Sequence, residues 1–244
     1  ERCVIAPVTS APPRRRRRPA RAPFIGHRGA YQQDFIWYSD DGGKSYALSK
    51  TPTGNSLPKM DEAQLVELKN GDVLASMRNR IGAECQPHCA RPPRAYRGVA
   101  LSTDGGTSFS NASFDRALPE PVCMASIISA GADHDIFFAN PGDFWAMQGH
   151  GRMNGRVRRS RDCTGLPSDG LCTWDPQTVT IAEGLPFGYS CLTPLNDTHI
   201  GLLWETNATL CSSDSSACLQ TFSTLPLSLF GPRETGSAGS PNAS

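Results

Sequence analysis

One turn sequence occurs twice in this chain and constrains its fold more than any other feature. Residues 39–46 read "SDDGGKSY", and residues 102–109 read "STDGGTSF", 63 positions later. Both fit the pattern Ser-x-Asp-x-Gly-x-Ser-aromatic. An interrupted third copy starts 58 positions further on with "SRDC" at Ser160 and ends with "GLCTW" at Trp174. A turn repeated about every 60 residues, with strands between the copies, is typical of β-propeller blades.

The residue types of the repeat indicate a structural role. An aspartate in such a turn accepts backbone N–H bonds, the glycines adopt positive φ, and the aromatic ring is expected to pack beneath the turn into the core. We therefore expect Asp41, Asp104 and Asp162 to stabilise turns on the rim of the propeller and not to act as catalytic carboxylates.

The segments between the turns have the pattern of β-strands. Short runs of alternating apolar residues are bounded by Gly, Pro, Asn and Asp, and Asn70-Gly71 is a hairpin turn between two of them. No long segment has a 3.6-residue period, so the sequence predicts an all-β chain. The strand candidates are "DFIWYS" (34–39), "AQLVELKNGDVLASMRN" (63–79), "RGVALST" (97–103), "HDIFFANP" (134–141), "TVTIAEG" (178–184) and "HIGLLWE" (199–205).

Composition divides the 244 residues into three segments and limits the classes of binding partner that we expect. Residues 1–23, with five consecutive arginines, are predicted to be disordered or non-homologous, although a basic run can also bind nucleic acid. Residues 24–230 form the predicted propeller, and 231–244 form a flexible tail. The net charge of +1 gives no support to a nucleic-acid partner, and no apolar run is long enough to predict a membrane span.

Cysteines and glycosylation motifs indicate a secretory route. The chain has nine cysteines, of which Cys163 with Cys172 and Cys211 with Cys218 are spaced as loop disulfides. Cys85 and Cys89 are a third candidate pair, for which a zinc site is the weaker alternative. Asn-x-Ser/Thr motifs occur at Asn111, Asn196, Asn207 and Asn242. We expect a secreted, lysosomal or endomembrane location, although no signal peptide is visible.

With these turns identified as Asp boxes, four segments, in this order and including the second turn, resemble the exo-α-sialidases (neuraminidases). They are "MDEAQLVELKNGDVLASMRN", "LSTDGGTSF", "IFFANP…GRMNGRVRRS" and "GYSCLTPLNDTHIGLLWE". The resemblance covers residues 24–229 and implies a six-bladed β-propeller, of which about four blades are present here. It also implies a retaining glycoside hydrolase that removes terminal sialic acid from glycoproteins, gangliosides and oligosaccharides, without a cofactor or metal.

The resemblance assigns roles to five residues. Family members bind the carboxylate of the sugar with three arginines, and Arg78 and Arg152 match the second and third of these. The planar guanidinium group suits this task because it stays charged and can bond a carboxylate twice. Tyr189 matches the nucleophile, Glu62 the glutamate that accepts its proton, and Glu205 the glutamate that orients the first arginine. A neutral phenol is not repelled by the substrate carboxylate as a carboxylate nucleophile would be.

Two other residues are weaker site candidates. Arg80 lies two positions after Arg78 and therefore on the same face of an extended strand, but Arg78 is in the Arg-Asn pair of the motif. His27 precedes an Asp box and could approach the site, although a loop histidine is the simpler interpretation.

The match lacks two family features. The first arginine and the aspartate acid/base have no counterpart, and "RAP" at 21–23 only imitates the arginine motif. The sequence does not begin with Met, and we expect it to be N-terminally incomplete and inactive by itself. The alternatives are a sialic-acid-binding lectin that performs no chemistry and an inactive propeller fragment.

Overall fold

The computed structural model describes residues 21–28, 31–41, 43–50, 57, 60–80, 96–142, 152–163, 171–206 and 219–232. For residues 21–28 and 31–33 the backbone alone is described. Residues 1–20, Cys85, Cys89, Cys211 and Cys218 lie outside this part, and so do the predictions made for them. The three-segment division of the chain stays a prediction; residues 21–23 belong to the first strand.

The described residues form four antiparallel sheets in which consecutive strands are neighbours. The first two sheets contain β1 (Arg21–Arg28), β2 (Tyr31–Tyr38) and β3 (Ala47–Leu48), then β4 (Met60–Glu67), β5 (Val73–Asn79), β6 (Tyr96–Ser102) and β7 (Ser113–Pro119). The other two contain β8 (Ser126–Ala130), β9 (Asp135–Pro141), β10 (Met153–Asp162) and β11 (Thr173–Pro186), then β12 (Ser190–Asn196), β13 (His199–Thr206) and β14 (Leu219–Pro226). A 3-10 helix, Leu227–Phe230, follows β14.

This arrangement confirms the prediction of an all-β chain with about four blades. All six predicted strand segments overlap strands of the structure. The Asn70-Gly71 hairpin joins β4 to β5, and Gly71 has φ 90° as the turn requires.

Apolar residues fill the spaces between neighbouring sheets. Successive side chains of a strand point to opposite faces, so one strand can pack against the sheets on both of its sides. In β9 every residue is buried, because Phe138 packs toward the second sheet while Phe137 packs toward the fourth. A third apolar cluster, which includes Ile36 and Met77, lies between the first and second sheets. Each blade is therefore stabilised by its neighbours.

Polar bonds connect the first strands of three successive sheets. The Gln64 side-chain oxygen on β4 accepts bonds from the Ile127 N–H and the Ser126 hydroxyl on β8, at 3.0 and 3.1 Å. The Ser126 hydroxyl oxygen in turn accepts the N–H of Leu192 on β12 at 2.9 Å. These bonds hold β4, which contains Glu62, and β12, which follows Tyr189, to β8.

The two complete turns have matching bonds. The Asp41 and Asp104 carboxylates each accept bonds from the backbone N–H and the hydroxyl of the serine four residues later, Ser45 and Ser108. Burial opposes ionisation of Asp104, but the bonds from Ser108 outweigh it and lower the pKa of this carboxyl. The predicted structural role of Asp41 and Asp104 agrees with these contacts, and that of Asp162 stays a prediction.

The expectation that the aromatic residue packs beneath the turn is right for Phe109 and wrong for Tyr46. Phe109 is 6% exposed, whereas Tyr46 is 55% exposed. Tyr46 precedes β3, which is two residues long with both side chains exposed, so this strand gives its ring no buried surface to pack on. Its ring instead lies along the turn, and its hydroxyl would be 3.2 Å from a Cβ on Gly43.

In the third copy, the predicted disulfide between Cys163 and Cys172 is present. Trp174 packs against Phe138, with ring centroids 5.8 Å apart, and its indole N–H donates to Asp115 at 2.8 Å. The interrupted repeat thus keeps a core-packed aromatic residue, as the turn with Phe109 does.

Candidate active site

An irregularity in β4 presents Glu62 to the site. The pairing of β4 with β5 shifts register between Asp61 and Gln64, and Glu62 has φ 46°, a left-handed conformation that is uncommon outside glycine. The buried Asp34 carboxylate on β2 accepts the N–H of Ala63 at 2.7 Å and holds this segment. The bulge turns the Glu62 side chain out of the regular alternation of the strand.

Arg78, near the end of β5, contacts both Glu62 and Tyr189. Its Nη1 donates to Glu62 Oε2 at 2.6 Å and to the Tyr189 hydroxyl oxygen at 3.0 Å. Burial lowers the pKa of the guanidinium group, but the adjacent Glu62 carboxylate more than compensates and raises it above its ordinary value. Arg78 is therefore a permanent positive charge beside the phenol.

Tyr189 lies in the connection between β11 and β12, where Glu205 fixes the backbone. Glu205 Oε2 accepts the Tyr189 N–H at 3.0 Å, and the Glu205 N–H donates to the Tyr189 carbonyl at 2.9 Å. The phenolic hydroxyl donates to Glu62 Oε1 at 2.7 Å. One edge of the Glu62 carboxylate thus binds the phenol while the other binds the guanidinium group of Arg78.

The electrostatics of this pair suit a proton transfer. Burial and the bond to Glu62 raise the pKa of the Tyr189 phenol to about 12. Burial opposes ionisation of Glu62, but Arg78 and the bond from Tyr189 outweigh it and lower the pKa of the carboxyl. At neutral pH the proton is on the phenol and Glu62 is an ionised acceptor, the arrangement that general-base activation of a nucleophile requires.

Arg152 lies over the aromatic ring of Tyr189. Its guanidinium carbon is 5.3 Å from the Tyr189 ring centroid, and its Nη2 donates to the carbonyl of Val122 at 3.2 Å. The Arg152 carbonyl accepts the N–H of Phe187, two residues before Tyr189, at 2.8 Å. Five predicted site residues are therefore connected: Tyr189 contacts Glu62, Arg78, Arg152 and Glu205.

The weaker candidates have different surroundings. The Arg80 guanidinium group forms an ion pair with Asp61 and its side chain is 37% exposed, whereas that of Arg78 is 7% exposed. The sequence preference for Arg78 over Arg80 agrees with these contacts. His27 is in β1, and its side chain lies outside the described residues.

Three residues that support the site were not predicted from the sequence: Asp34, Asp61 and Val122. Only Asp61 had a local signal, because it precedes Glu62 in "MDEAQLVELKNGDVLASMRN". Within the described ranges, no group of three or more His, Cys, Asp or Glu side chains could hold a metal ion. Those same ranges contain no helix long and apolar enough to cross a membrane.

Comparison with known proteins gives sialidases by sequence and by fold. No family model matches the chain. It is 32% identical over 180 residues to a sialidase of Bacteroides fragilis, covering 70% of this chain and 28% of that protein. It is 34% identical over 190 residues to a sialidase of Micromonospora viridifaciens, covering 75% of this chain and 25% of the relative. The chain thus spans about a quarter of the length of the curated relatives it matches.

Solved structures show the same fold. The intramolecular trans-sialidase of Ruminococcus gnavus, in complex with oseltamivir carboxylate, matches 86% of this chain and 41% of its own, with a TM-score of 0.60 and 21% identity. The Trypanosoma rangeli sialidase in complex with 2,3-difluorosialic acid, a covalent intermediate, matches 78% of this chain and 27% of its own, with a TM-score of 0.54 and 16% identity. The fold is that of the sialidase β-propellers. By sequence similarity the chain belongs to the sialidase family.

Proposed function

We propose that the protein is a retaining exo-α-sialidase and that Tyr189 is its nucleophile. The observation that carries the proposal is the contact of one phenol with a carboxylate at 2.7 Å and a guanidinium group at 3.0 Å. Tyr189 Oη attacks the anomeric carbon of a terminal sialic acid while its proton moves to Glu62. The bond to the departing sugar breaks, and that sugar's oxygen takes a proton from an acid. Water then attacks the anomeric carbon and gives a proton to the conjugate base of that acid; the bond to Tyr189 Oη breaks, and the proton on Glu62 returns to the phenol.

Arg78 and Arg152 bind the carboxylate of the substrate in this proposal. A guanidinium group has five N–H donors, and both bonds that Arg78 makes to described residues use Nη1. We take its Nη2 to bond the substrate carboxylate while Nη1 keeps its bond to Glu62. Arg152, over the ring of the phenol, supplies a second positive charge. Glycoproteins, gangliosides and sialylated oligosaccharides all present such a terminal acid sugar.

A secretory or lysosomal location is part of the proposal. Asn111 and Asn196, the two sequon asparagines in the described residues, are both exposed. The Cys163–Cys172 disulfide also favours an oxidising compartment.

Binding and turnover together test the proposed function. The 244-residue chain is titrated with the unsaturated acid 2-deoxy-2,3-didehydro-N-acetylneuraminic acid by calorimetry, and cleavage of an aryl α-sialoside is followed by fluorescence. We expect binding that weakens about 10-fold to 100-fold in Arg78→Met, from loss of a charge-assisted contact. The match has no aspartate acid/base, so we expect this chain to leave natural sialosides uncleaved. An aryl leaving group needs little protonation, so slow cleavage of the aryl sialoside alone is expected, and Tyr189→Phe abolishes it.

Three results would count against the proposed function. Absence of binding contradicts it, and so does binding of equal strength in Arg78→Met. Tight binding by the folded full-length protein, without any cleavage of the aryl sialoside, would instead identify a sialic-acid-binding lectin.

A further inference from the structure

A buried ion pair, Arg97 with Glu120, bonds to segments next to Arg78 and Arg152. No bond between described residues joins it to Tyr189 or Glu62. Arg97 on β6 and Glu120 at the end of β7 are each 1% exposed, and Arg97 Nη1 donates to Glu120 Oε2 at 2.8 Å. Arg97 Nε also donates to the Ser76 hydroxyl oxygen at 3.1 Å. Removing two charges from water costs free energy that their attraction often fails to recover. The other hydrogen bonds of Arg97 and Glu120 indicate the role of this ion pair in the fold.

One set of contacts fixes the segment that supports Arg152. Glu120 Oε1 accepts the Cys123 N–H at 2.9 Å, and Arg97 Nη1 donates to the Cys123 carbonyl at 2.9 Å. Between Glu120 and Cys123, Val122 has φ 56°, a conformation that a β-branched residue adopts only when its surroundings impose it. The carbonyl of Val122 is the group that accepts Arg152 Nη2.

A second contact fixes the backbone beside Arg78. The pairing of β5 with β6 ends at Met77 and Gly98, so the ladder does not extend to the last residues of β5 on that side. Glu120 Oε2 accepts the N–H of Asn79 at 3.3 Å in place of a strand partner. The Asn79 side chain donates to the Tyr96 carbonyl at 3.0 Å, which ties the same point to β6.

We propose that Arg97 and Glu120 are positioning residues that set the separation of the Arg78 and Arg152 guanidinium groups and thereby the selectivity for a carboxylate-bearing sugar. The Glu120 carboxylate accepts the N–H of Asn79, next to Arg78, and the N–H of Cys123. Cys123 follows Val122, whose carbonyl accepts the bond from Arg152. Neither residue of the pair touches the substrate. The inference rests on the proposed function, because it takes the two arginines to bind the acid group of a sialoside.

The test compares an acidic ligand with its neutral ester. Glu120→Gln keeps the size of the side chain and removes its charge. We expect the Kd for 2-deoxy-2,3-didehydro-N-acetylneuraminic acid to rise about tenfold or more, while the Kd for its methyl ester stays within about twofold. Arg97→Lys is the second variant, since it keeps the charge but cannot bond Ser76, Glu120 and Cys123 together.

The chain offers a control in a second ion pair, in which Arg159 is buried and Asp175 is partly buried. Arg159 donates to Asp175 at 2.7 Å and to the Phe230 carbonyl, and none of these groups contacts a predicted site residue. Asp175→Asn breaks this pair, so it should lower the unfolding midpoint without selectively weakening binding of the acid. Equal loss of acid and ester binding in Glu120→Gln, or the same acid-selective loss in Asp175→Asn, would overturn the inference.

A spectroscopic measurement separates this inference from the proposed function. Side-chain Nε–H resonances of ¹⁵N-arginine are assigned by Arg78→Lys and Arg152→Lys. We expect Glu120→Gln to shift both resonances, and Asp175→Asn to leave both in place. If the wild-type chain binds neither ligand but these shifts occur, the proposed function fails and the positioning role stands. Unmoved Arg78 and Arg152 resonances in a folded Glu120→Gln protein would refute the positioning role.

Discussion

Replacing Glu62 by glutamine should change the acidity of Tyr189 and the reaction rate in ways that a simple structural role would not. The phenol donates to Glu62 at 2.7 Å, and its pKa is raised to about 12 by burial and by this carboxylate. A hydrogen bond to a charged group contributes about 1.5–3 kcal/mol, and each pKa unit corresponds to about 1.4 kcal/mol. Removing the charge should therefore lower the pKa of Tyr189 by about 1–2 units.

A second effect acts in the same direction. Arg78 donates to the phenolic oxygen at 3.0 Å, and in Glu62→Gln its positive charge is no longer neutralised by the carboxylate. The phenolate is then stabilised by an unpaired guanidinium group. The phenol becomes more acidic, but it loses the base that accepts its proton, so turnover of an aryl sialoside should fall about 10²–10⁴-fold.

The measurement is a pH titration of tyrosine side chains. The chain has five tyrosines, so Tyr189 is identified by difference from Glu62→Gln/Tyr189→Phe, using ¹³C-labelled tyrosine and NMR. Glu183→Gln, the same change at an exposed position of β11, is the control and should leave Tyr189 unaltered. A Tyr189 pKa that stays at the wild-type value or rises in Glu62→Gln would refute the reasoning, whatever happens to the rate.

Two further predictions concern stability. Burial raises the pKa of Asp34 to about 8, above its ordinary value of 3.8, so folding favours its protonated form and this group destabilises the fold increasingly from pH 4 to pH 8. Asp34→Asn, which keeps an acceptor for the Ala63 N–H, should reduce the loss of unfolding free energy between pH 5 and pH 8 by at least about 1 kcal/mol. Urea unfolding at both pH values measures this loss, and a loss equal to that of the wild type would contradict the prediction. Replacing Cys163 and Cys172 by serine should lower the unfolding free energy by about 2.5 kcal/mol, since the disulfide closes a short loop; reduced and oxidised wild-type protein of equal stability would disprove it.

The sequence predicted the parts of the fold that local chemistry determines. The Ser-x-Asp-x-Gly-x-Ser turns are formed by bonds within five residues, as in Asp104 with Ser108, and can be recognised from a short string of letters. The Asn70-Gly71 hairpin is local in the same sense. The exposure of Tyr46 was not predictable in this way, because it depends on how much of the sheet lies beside the turn.

The residues of the site, in contrast, are brought together by contacts between distant parts of the sequence. Tyr189 and Glu62 were identified only by resemblance, since they are 127 positions apart and neither has a local signal. Asp34 bonds to a backbone group 29 positions away, and Glu120 to one 41 positions away. Such contacts are set by the packing of one blade on the next. No periodicity or turn motif in the sequence encodes that packing.

Reaction of the chain with 2,3-difluorosialic acid tests the central claim most directly. The bond from the anomeric carbon to fluorine breaks as the bond to Tyr189 Oη forms, and the phenolic proton moves to Glu62. Fluoride leaves without being protonated, so no acid group is needed for this step. We predict that intact mass increases by one fluorosialyl group, that peptide mapping locates it on Tyr189, and that Tyr189→Phe forms no adduct. An adduct on another residue, or none in a folded protein that binds the sugar, would contradict the account.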